Sequence, residues 1–289
     1  MNNIRYKVSK FGGTSLASAK SIDQVASIIE QDDLRRHIVV SAPGKRFRDD
    51  VKVTDLLVEV CKNKNSGVSI DEPFSKIIKR FLDIEEELGL DSEIESSLIK
   101  LYEQIKNDKN INNDIIESAG EYFMARLMSK YTGFEFVDIL KTGAISFNET
   151  GIVDLEQCLK GFNPYAGKRT ITPGFYGRTP DGKIKTLGRG GSDITGAIIA
   201  NIVDAEVYEN FTDVNGIYNG DPNKISGVEK YGSMTYDEFL TLKNANVLHS
   251  DCISFLRPKD IPVNVRSTFE PDEPGTMIVS NKFESLEQL

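Results

Sequence analysis

The chain has 289 residues, of which 39% are hydrophobic and 27% are charged, as in an ordinary globular protein with a substantial core. Its net charge of −9 at pH 7 argues against a nucleic-acid partner, since a surface that binds phosphates needs clustered Lys and Arg. The N-terminus has no apolar core suited to a signal peptide, and no window reaches the roughly 20 apolar residues of a membrane span. We therefore expect a cytoplasmic protein with a small-molecule partner and no membrane partner.

The three cysteines, Cys61, Cys158 and Cys252, lack the paired spacing of metal ligands, and the chain has only two histidines. This pattern predicts reduced thiols that pack in the core, and no zinc site.

The first 42 residues predict a βαβ unit. Residues 4–8 alternate apolar with polar and lead into the glycine turn KFGGTS, as expected of a strand end. Ile22, Val25 and Ile28 follow at helical spacing behind candidate N-caps Ser18 and Ser21. HIVVSA, from His37, then predicts a buried strand.

The remaining chain predicts a helical excursion followed by further strands. Apolar residues recur at helical spacing from 54 to 131. Strands are predicted at FEFVDIL from Phe134, RTITPGF from Arg169, KIKTLG from Lys183, AEVYENFTDV from Ala205 and IPVNV from Ile261. Helices are predicted over about 192–203 and 235–245. Alternating strands and helices indicate a single α/β unit with a mostly parallel sheet covered on both faces.

The motif KFGGTS is a candidate anion cradle. Gly12 and Gly13 let the backbone approach a ligand and point N–H groups at it, while Thr14 and Ser15 add hydroxyl donors. Lys10 supplies a mobile positive charge for a transferring phosphoryl group. The alternative is a tight turn beside a surface lysine.

A second glycine-rich turn, GRGGSD at residues 188–193, lies between a strand and a helix. Arg189, two glycine amides and Ser192 at a helix N-terminus suit a carboxylate or a phosphate. Alternatively, Ser192 and Asp193 cap the helix. Two such turns with nearby cations in one α/β chain favour an enzyme that handles phosphate.

Three further positions are ambiguous in isolation. Glu121, in SAGEYF, lies on a predicted helix and would ordinarily be solvated or salt-bridged. Thr212 and Asp213 follow a strand and could bind a ligand at its carboxyl end, or could form an ordinary turn. Tyr218 could flank a base or pack in the core.

Taken together, the motifs resemble the aspartokinases of the amino-acid-kinase family. The motifs are KFGGTS, GEYF, PGFYG, GRGGSD, TDVNGIY, VLH, IPVNV and PGT, in this order over nearly the whole chain. The resemblance implies a three-layer αβα sandwich like that of carbamate kinase, forming one catalytic domain over 1–289. Its N-lobe, about 1–170, would bind the amino acid, and its C-lobe, about 171–289, would bind the nucleotide. The implied reaction is ATP-dependent phosphorylation of the β-carboxylate of L-aspartate, without a covalent enzyme intermediate.

The resemblance also implies roles for individual residues. Lys10 and Asp193 would be catalytic. The amino acid would be held by Thr54, Glu121, Phe175, Arg189 and Ser192. ATP would be held by Lys10, Gly12, Gly13, Thr14, Ser15, Thr212, Asp213, Tyr218 and Lys224. Mg²⁺ would arrive with ATP, held largely by phosphate oxygens and water rather than by protein ligands.

Two features depart from the family pattern. Aspartokinases often carry an arginine and a lysine toward the nucleotide where this sequence has Asn223 and Asn246. We hypothesise weaker or rearranged ATP binding, with Lys224 in place of the arginine. The family commonly continues into paired ACT domains that sense lysine or threonine, whereas this sequence ends soon after PGTMIVS. We therefore expect no ACT domain and no feedback inhibition by lysine or threonine.

Two alternatives stay open: a same-fold kinase of another amino-acid carboxylate, and a non-catalytic subunit that binds aspartate. The partners left open are a second copy in a homodimer and a separate regulatory chain. The end product served, for example lysine or threonine, is also open.

Overall fold

The computed structural model describes residues 5–108, 110–220, 227–242 and 247–280. The described strands are β1 (Lys7–Phe11), β2 (Arg35–Val40), β3 (Glu135–Phe136), β4 (Thr170–Pro173), β5 (Tyr176–Arg178), β6 (Ile184–Thr186), β7 (Tyr208–Thr212), β8 (Ser233–Thr235), β9 (Val263–Ser267) and β10 (Thr276–Val279). The described α-helices are α1 (Ala19–Glu30), α2 (Val53–Ser66), α3 (Asp71–Glu87), α4 (Ile94–Asn107), α5 (Asn113–Glu117), α6 (Ala119–Thr132), α7 (Ile139–Thr142), α8 (Leu155–Phe162), α9 (Gly191–Ile202), α10 (Tyr236–Thr241) and α11 (Cys252–Leu256). Short 3₁₀ helices cover Gly13–Leu16, Asn163–Tyr165 and Arg257–Lys259.

Eight strands form one central sheet in the order β3-β4-β2-β1-β7-β9-β10-β8. The pairs from β3 to β9 are parallel, and only β10 meets β9 in the antiparallel sense. β5 and β6 form a separate antiparallel hairpin. The mostly parallel sheet predicted from the sequence is therefore confirmed.

Helices cover both faces of this sheet, which makes three layers. Buried side chains of α1–α6 form one core, together with Ile38 and Val40 of β2. Buried side chains of α7–α11 form the other core, together with Val39. β2 alternates between the two cores because successive side chains of a strand point to opposite faces. The αβα sandwich is confirmed.

Local signals explain the first helix. The Ser18 hydroxyl accepts a hydrogen bond from the Ser21 backbone N–H, and the Ser21 hydroxyl accepts one from the Ser18 N–H, which is a capping box. The apolar side chains predicted to face the core, Ile22, Val25 and Ile28, are fully buried.

Some predicted elements were wrong in extent or place. The strand predicted from Phe134 is limited to the two residues of β3, because Asp138 caps a helical turn by accepting from the Lys141 N–H at 3.1 Å. The strand predicted from Lys183 forms as β6, but it belongs to the separate hairpin. The helix predicted over 235–245 ends at Thr241, since Leu242 has extended backbone; residues 243–246 lie outside the described part of the chain.

Cys61, Cys158 and Cys252 are free and buried. No helix among the described residues is long and apolar enough to cross a membrane.

Candidate active site

Parallel pairing brings several polar turns to one edge of the sheet. Strands β1, β2, β4 and β7 run in the same direction, so their carboxyl ends meet at this edge. The Gly12 N–H donates to the Phe211 carbonyl at 3.0 Å, which joins the turn after β1 to the end of β7. The KFGGTS turn and the segment containing Thr212 and Asp213 are therefore neighbours.

The turn after β1 needs glycine because another backbone segment packs against it. The Gly44 N–H donates to the Gly13 carbonyl at 2.7 Å. A Cβ atom on Gly13 would lie 2.9 Å from the Ala42 carbonyl oxygen, closer than real Cβ contacts. This tight approach accounts for the second glycine of the motif.

The two hydroxyl residues of KFGGTS have different surroundings. The Thr14 hydroxyl lies at the cleft edge and donates to Asp213 Oδ2 at 3.5 Å. Ser15 is fully buried, and its hydroxyl pairs with the Thr268 hydroxyl at 2.7 Å. The prediction that Ser15 offers a hydroxyl to a ligand was therefore wrong, because this side chain points into the protein.

The second glycine-rich turn leads directly into α9. Gly188 and Gly190 have φ values of +75° and +71°, a region that L side chains rarely adopt. Gly190 is the N-cap, and no side chain caps this helix. The capping hypothesis for Ser192 and Asp193 was therefore wrong, since both residues lie inside the first turn of α9.

The side chain of Asp193 connects three elements. Its Oδ1 lies 2.6 Å from Lys10 Nζ, and its Oδ2 accepts from the His249 backbone N–H at 3.0 Å. The Lys10 and Asp193 side chains are only 10% and 13% exposed. The sequence analysis assigns no role to His249, although this residue lies in the VLH motif, because its contact with Asp193 joins residues that are distant in the chain.

Glu121 lies in the first turn of α6 and is buried. A glutamate at such a helical position would ordinarily be solvated or salt-bridged. Glu121 is 3% exposed, and its Oε2 has no hydrogen-bond partner among the residues that the structure describes. Burial raises the pKa of Glu121 to about 8, although the backbone N–H groups of Ala42 and of Glu121 itself, and the Lys10 charge, oppose this rise.

Phe175, after β4, carries local backbone strain. It is not a glycine, yet its φ is +79°. Two hydrogen bonds hold it there: its N–H donates to the Thr195 hydroxyl at 3.1 Å, and the Leu187 N–H donates to its carbonyl at 2.7 Å. Such strained residues concentrate at functional sites, where the surrounding structure holds them in place.

These features line one open cleft of about 670 Å³. The predicted site residues that line it are Lys10, Gly13, Thr14, Thr54, Glu121, Phe175, Arg189, Ser192 and Asp193. Lys52 and Glu117 also line it, and the sequence analysis had not selected them. The cleft is thus bordered by both glycine turns, by exposed cations and by one buried carboxyl group.

The predicted nucleotide residues extend beyond this cleft. Gly12, Thr212 and Asp213 lie beside it at the ends of β1 and β7, and the Thr212 hydroxyl donates to Asp213 Oδ1 at 3.1 Å. Tyr218 lies further along the chain, in an isolated bridge with Lys230. Asn223, Lys224 and Asn246 lie outside the described residues.

Within the described ranges there is no group of three or more His, Cys, Asp or Glu side chains arranged to hold a metal ion. The exposed carboxylate of Asp213, beside the Thr14 hydroxyl, fits an outer contact to water on a phosphate-bound Mg²⁺.

The fold and the cleft define an α/β protein with a polar cleft between two glycine-rich turns. A model of the amino acid kinase family matches residues 5–267. The chain therefore belongs to the amino acid kinase family.

Within this family the chain is similar to proteins named aspartokinase. It is 34% identical to aspartokinase 3 of Bacillus subtilis, over 96% of this chain and 64% of that protein. It superposes on the aspartate kinase of Clostridium acetobutylicum with a TM-score of 0.90 and 34% identity, covering 98% and 64% of the two chains. It also superposes on E. coli aspartokinase III in complex with aspartate and ADP, with a TM-score of 0.84 and 26% identity. This superposition covers 96% of this chain and 65% of that chain. The chain thus spans less than two thirds of the length of each of these relatives.

Proposed function

We propose that this chain catalyses the ATP-dependent phosphorylation of the β-carboxylate of L-aspartate. The observation that carries the proposal is the Lys10 ammonium, held by Asp193 at 2.6 Å in a cleft bordered by two glycine-rich turns. The similarity to proteins named aspartokinase, one of them in complex with aspartate and ADP, supports this choice of substrates.

In the proposed step, a β-carboxylate oxygen of aspartate forms a bond to the γ-phosphorus of ATP. The bond from that phosphorus to the bridging oxygen breaks, and ADP leaves with its electron pair. The products are ADP and 4-phospho-L-aspartate, an acyl phosphate. The attacking carboxylate is already ionised at pH 7, so alignment and charge neutralisation are needed rather than a strong general base.

Residues on the amino-acid side of the cleft offer complementary charge and shape. Exposed Arg189 presents a guanidinium that suits the substrate's α-carboxylate. Buried Glu121 suits its ammonium group. We assign Thr54, Phe175 and Ser192 to the walls around the amino acid because all three line the same cleft. Thr54 and Glu121 lie in the N-lobe, about 1–170, that we propose for the amino acid. The other three residues lie in the C-lobe, so both lobes would contribute to this side of the cleft.

On the nucleotide side, the amide of Gly13 and the hydroxyl of Thr14 would cradle the transferring phosphoryl group, with Lys10 and Asp193 as the catalytic pair. The Gly12 N–H is taken by the Phe211 carbonyl, so Gly12 would contribute by letting the backbone approach the nucleotide. Thr212, Asp213 and Tyr218 would extend the site toward the nucleotide in the C-lobe, about 171–289. Mg²⁺ would enter with ATP and neutralise phosphate charge when bound. A contribution of Lys224 to nucleotide binding stays a prediction.

The wider context also stays predicted. We propose a biosynthetic role in the aspartate family of amino acids, without assigning lysine or threonine as the end product. A cytoplasmic location, a homodimer and a separate regulatory chain are expectations of the sequence analysis.

The proposal is tested by trapping the acyl phosphate. The purified chain is incubated with Mg-ATP and hydroxylamine, with L-aspartate, L-glutamate, N-acetylglutamate or no acceptor, and both ADP and hydroxamate are recorded. We expect both products with L-aspartate alone. Turnover with another acceptor instead would indicate a same-fold kinase of that carboxylate, and aspartate binding without turnover would indicate a non-catalytic subunit.

Two lysines of β1 offer a matched pair of variants. Lys10→Met removes the cleft ammonium, and we expect kcat to fall about 10²- to 10³-fold, as when one preorganised electrostatic contact to a transition state is lost. Lys7→Met removes a lysine that pairs with Asp32 at 2.9 Å outside the cleft, and we expect kcat to be unchanged. Equal losses in the two variants would contradict a specific role for Lys10.

A further inference from the structure

The carboxyl group of Glu121 is placed where its charge would be poorly compensated. The side chain lines the cleft, yet the residue is 3% exposed, and within the described part of the chain Oε2 has no hydrogen-bond partner. The backbone N–H groups of Ala42 and of Glu121 itself replace part of the hydration that an ionised carboxylate loses there, but Oε2 gains no such contact among the described residues, and burial is the larger effect. The protonated form avoids most of the cost of burying the charge.

Lys10, the cation whose charge favours ionisation of Glu121, forms its ion pair with a different carboxylate. Lys10 Nζ is 2.6 Å from Asp193 Oδ1, so its charge is largely balanced by a different carboxylate. The other charged groups that line the cleft are Arg189 in the turn before α9, Lys52 and Asp55 at the start of α2, and Glu117 at the end of α5. Tyr176 of β5 also lies close enough for its charge to interact with that of Glu121. Arg189 and Lys52 are exposed, so water screens their charges, whereas Asp55 and Glu117 would repel a carboxylate.

We propose that Glu121 is protonated in the empty cleft and releases this proton to solvent when the ammonium group of the amino-acid substrate binds. This inference rests on the proposed function and adds a proton linkage to it. The carboxyl O–H bond breaks and the proton passes to buffer. The carboxylate then accepts a hydrogen bond from the substrate ammonium, which keeps all its own protons.

The direction of the pH dependence follows from this exchange. Burial raises the pKa of Glu121 to about 8 in the empty protein, and an adjacent ammonium favours the ionised form and lowers that pKa. Below pH 8 the complex therefore holds one proton fewer than the free protein plus substrate. Affinity for aspartate rises by up to about tenfold per pH unit below pH 8 and levels off above it.

The experiment is isothermal titration calorimetry of the full chain with L-aspartate, without nucleotide, at each pH in two buffers that titrate near that pH and differ in ionisation enthalpy. The difference in observed heat between the two buffers gives the number of protons exchanged. We expect release of about one proton per aspartate at pH 7 and close to none at pH 9. Succinate, which lacks the ammonium group, should bind without releasing a proton.

Two variants identify the group that loses the proton. Glu121→Gln should weaken aspartate binding and abolish the proton release. Glu117→Gln, which removes the other cleft carboxyl with a raised pKa, should preserve the release.

If Glu121→Gln fails to fold, the infrared spectrum of the unaltered chain provides the same test. The carbonyl band of a protonated carboxyl should be present at pH 7 and should disappear when aspartate is added.

The outcomes separate this inference from the proposed function. Aspartate that binds and is phosphorylated without proton release would overturn the inference and leave the proposed function intact. Proton release that is lost in Glu117→Gln but kept in Glu121→Gln would also overturn it. Failure of aspartate to bind at any pH would overturn both.

Discussion

At the residue scale, Gly190 shows why the turn before α9 requires glycine. Its φ of +71° is strained for any L side chain. An added Cβ would also lie 2.4 Å from a ring carbon of His249. Gly188 has a similar φ of +75°, but an added Cβ there would meet nothing within 4 Å. Both positions therefore need glycine for their positive φ, but only at Gly190 would a side chain also collide with a neighbouring residue.

This difference gives a matched prediction. Gly188→Ala should destabilise the chain by about 1 kcal/mol through backbone strain alone. Gly190→Ala should cost about 1–3 kcal/mol more, because the His249 ring must also move. Urea unfolding measures both, and equal losses would show that the His249 contact is unimportant.

Displacement of His249 in Gly190→Ala should also affect function, because the His249 backbone N–H donates a hydrogen bond to Asp193 Oδ2 at 3.0 Å. We therefore expect the proposed kinase activity to fall further in Gly190→Ala than in Gly188→Ala, as measured by the hydroxamate assay. A Gly190→Ala variant with unaltered activity would show that this contact does not position Asp193.

At the element scale, a buried ionic network joins the four central strands. Glu209 on β7 accepts from Arg35 Nε at 2.7 Å, from Arg35 Nη2 at 2.9 Å, from Arg266 Nη1 at 3.1 Å and from the Ser9 hydroxyl at 2.7 Å. Although burial opposes ionisation, the Arg35 contact keeps the pKa of Glu209 below its ordinary value. Ser9 and Glu209 lie near the carboxyl ends of β1 and β7, just before the turns that follow these two strands.

Removing this charge should destabilise the sheet. Glu209→Gln leaves Arg35 and Arg266 without a buried anion, and we expect a loss of about 3–5 kcal/mol in the free energy of unfolding. Glu72→Gln, which alters an exposed ion pair with Lys76, should cause no measurable change. Chemical unfolding of both variants tests this, and similar effects would mean that the network adds little to stability.

At the scale of the whole molecule, two buried titratable groups should set a pH range of greatest stability. Burial lowers the pKa of His37 to about 4 from an ordinary 6.5, and it raises the pKa of Glu121 to about 8 from an ordinary 4.5. Between pH 6.5 and 4 the unfolded chain binds more protons at His37, so stability falls as the pH is lowered. Between pH 4.5 and 8 the folded chain binds more protons at Glu121, so stability falls as the pH is raised.

Between pH 4.5 and 6.5 the two contributions oppose each other, so the expected result for the substrate-free chain is a broad range of greatest stability there, with stability falling above pH 6.5. His37→Gln should leave the Glu121 contribution unopposed, so that stability rises by an amount on the order of 3 kcal/mol as the pH is lowered from 6.5 to 4.5. Glu121→Gln should abolish the fall above pH 6.5 and leave stability falling as the pH is lowered from 6.5 to 4. Thermal or urea unfolding over this pH range measures both slopes. Slopes that persist unchanged in the variants would assign the titration to other groups.

Much of the architecture was predictable from local patterns. The apolar run of β2 and the spacing of Ile22, Val25 and Ile28 indicate a buried strand and an amphipathic helix with no tertiary information. The length of β3 was overestimated because the apolar residues that follow it suit a helical turn as well as a strand. The hydrogen bond from the Lys141 N–H to Asp138 favours the helical turn.

The sequence by itself determined the α/β class, the two glycine turns and the resemblance to a family of kinases. These features depend on the spacing of apolar residues and on the positions of glycines, which are local properties of the chain. Only the tertiary structure decided that Lys10 pairs with Asp193, that Ser15 points inward and that Glu121 is buried without a partner. Each of these contacts joins residues that are distant in the chain, or depends on the solvent exposure that packing leaves. The parallel sheet brings its strand ends to one edge, and this packing turns separate motifs into one cleft.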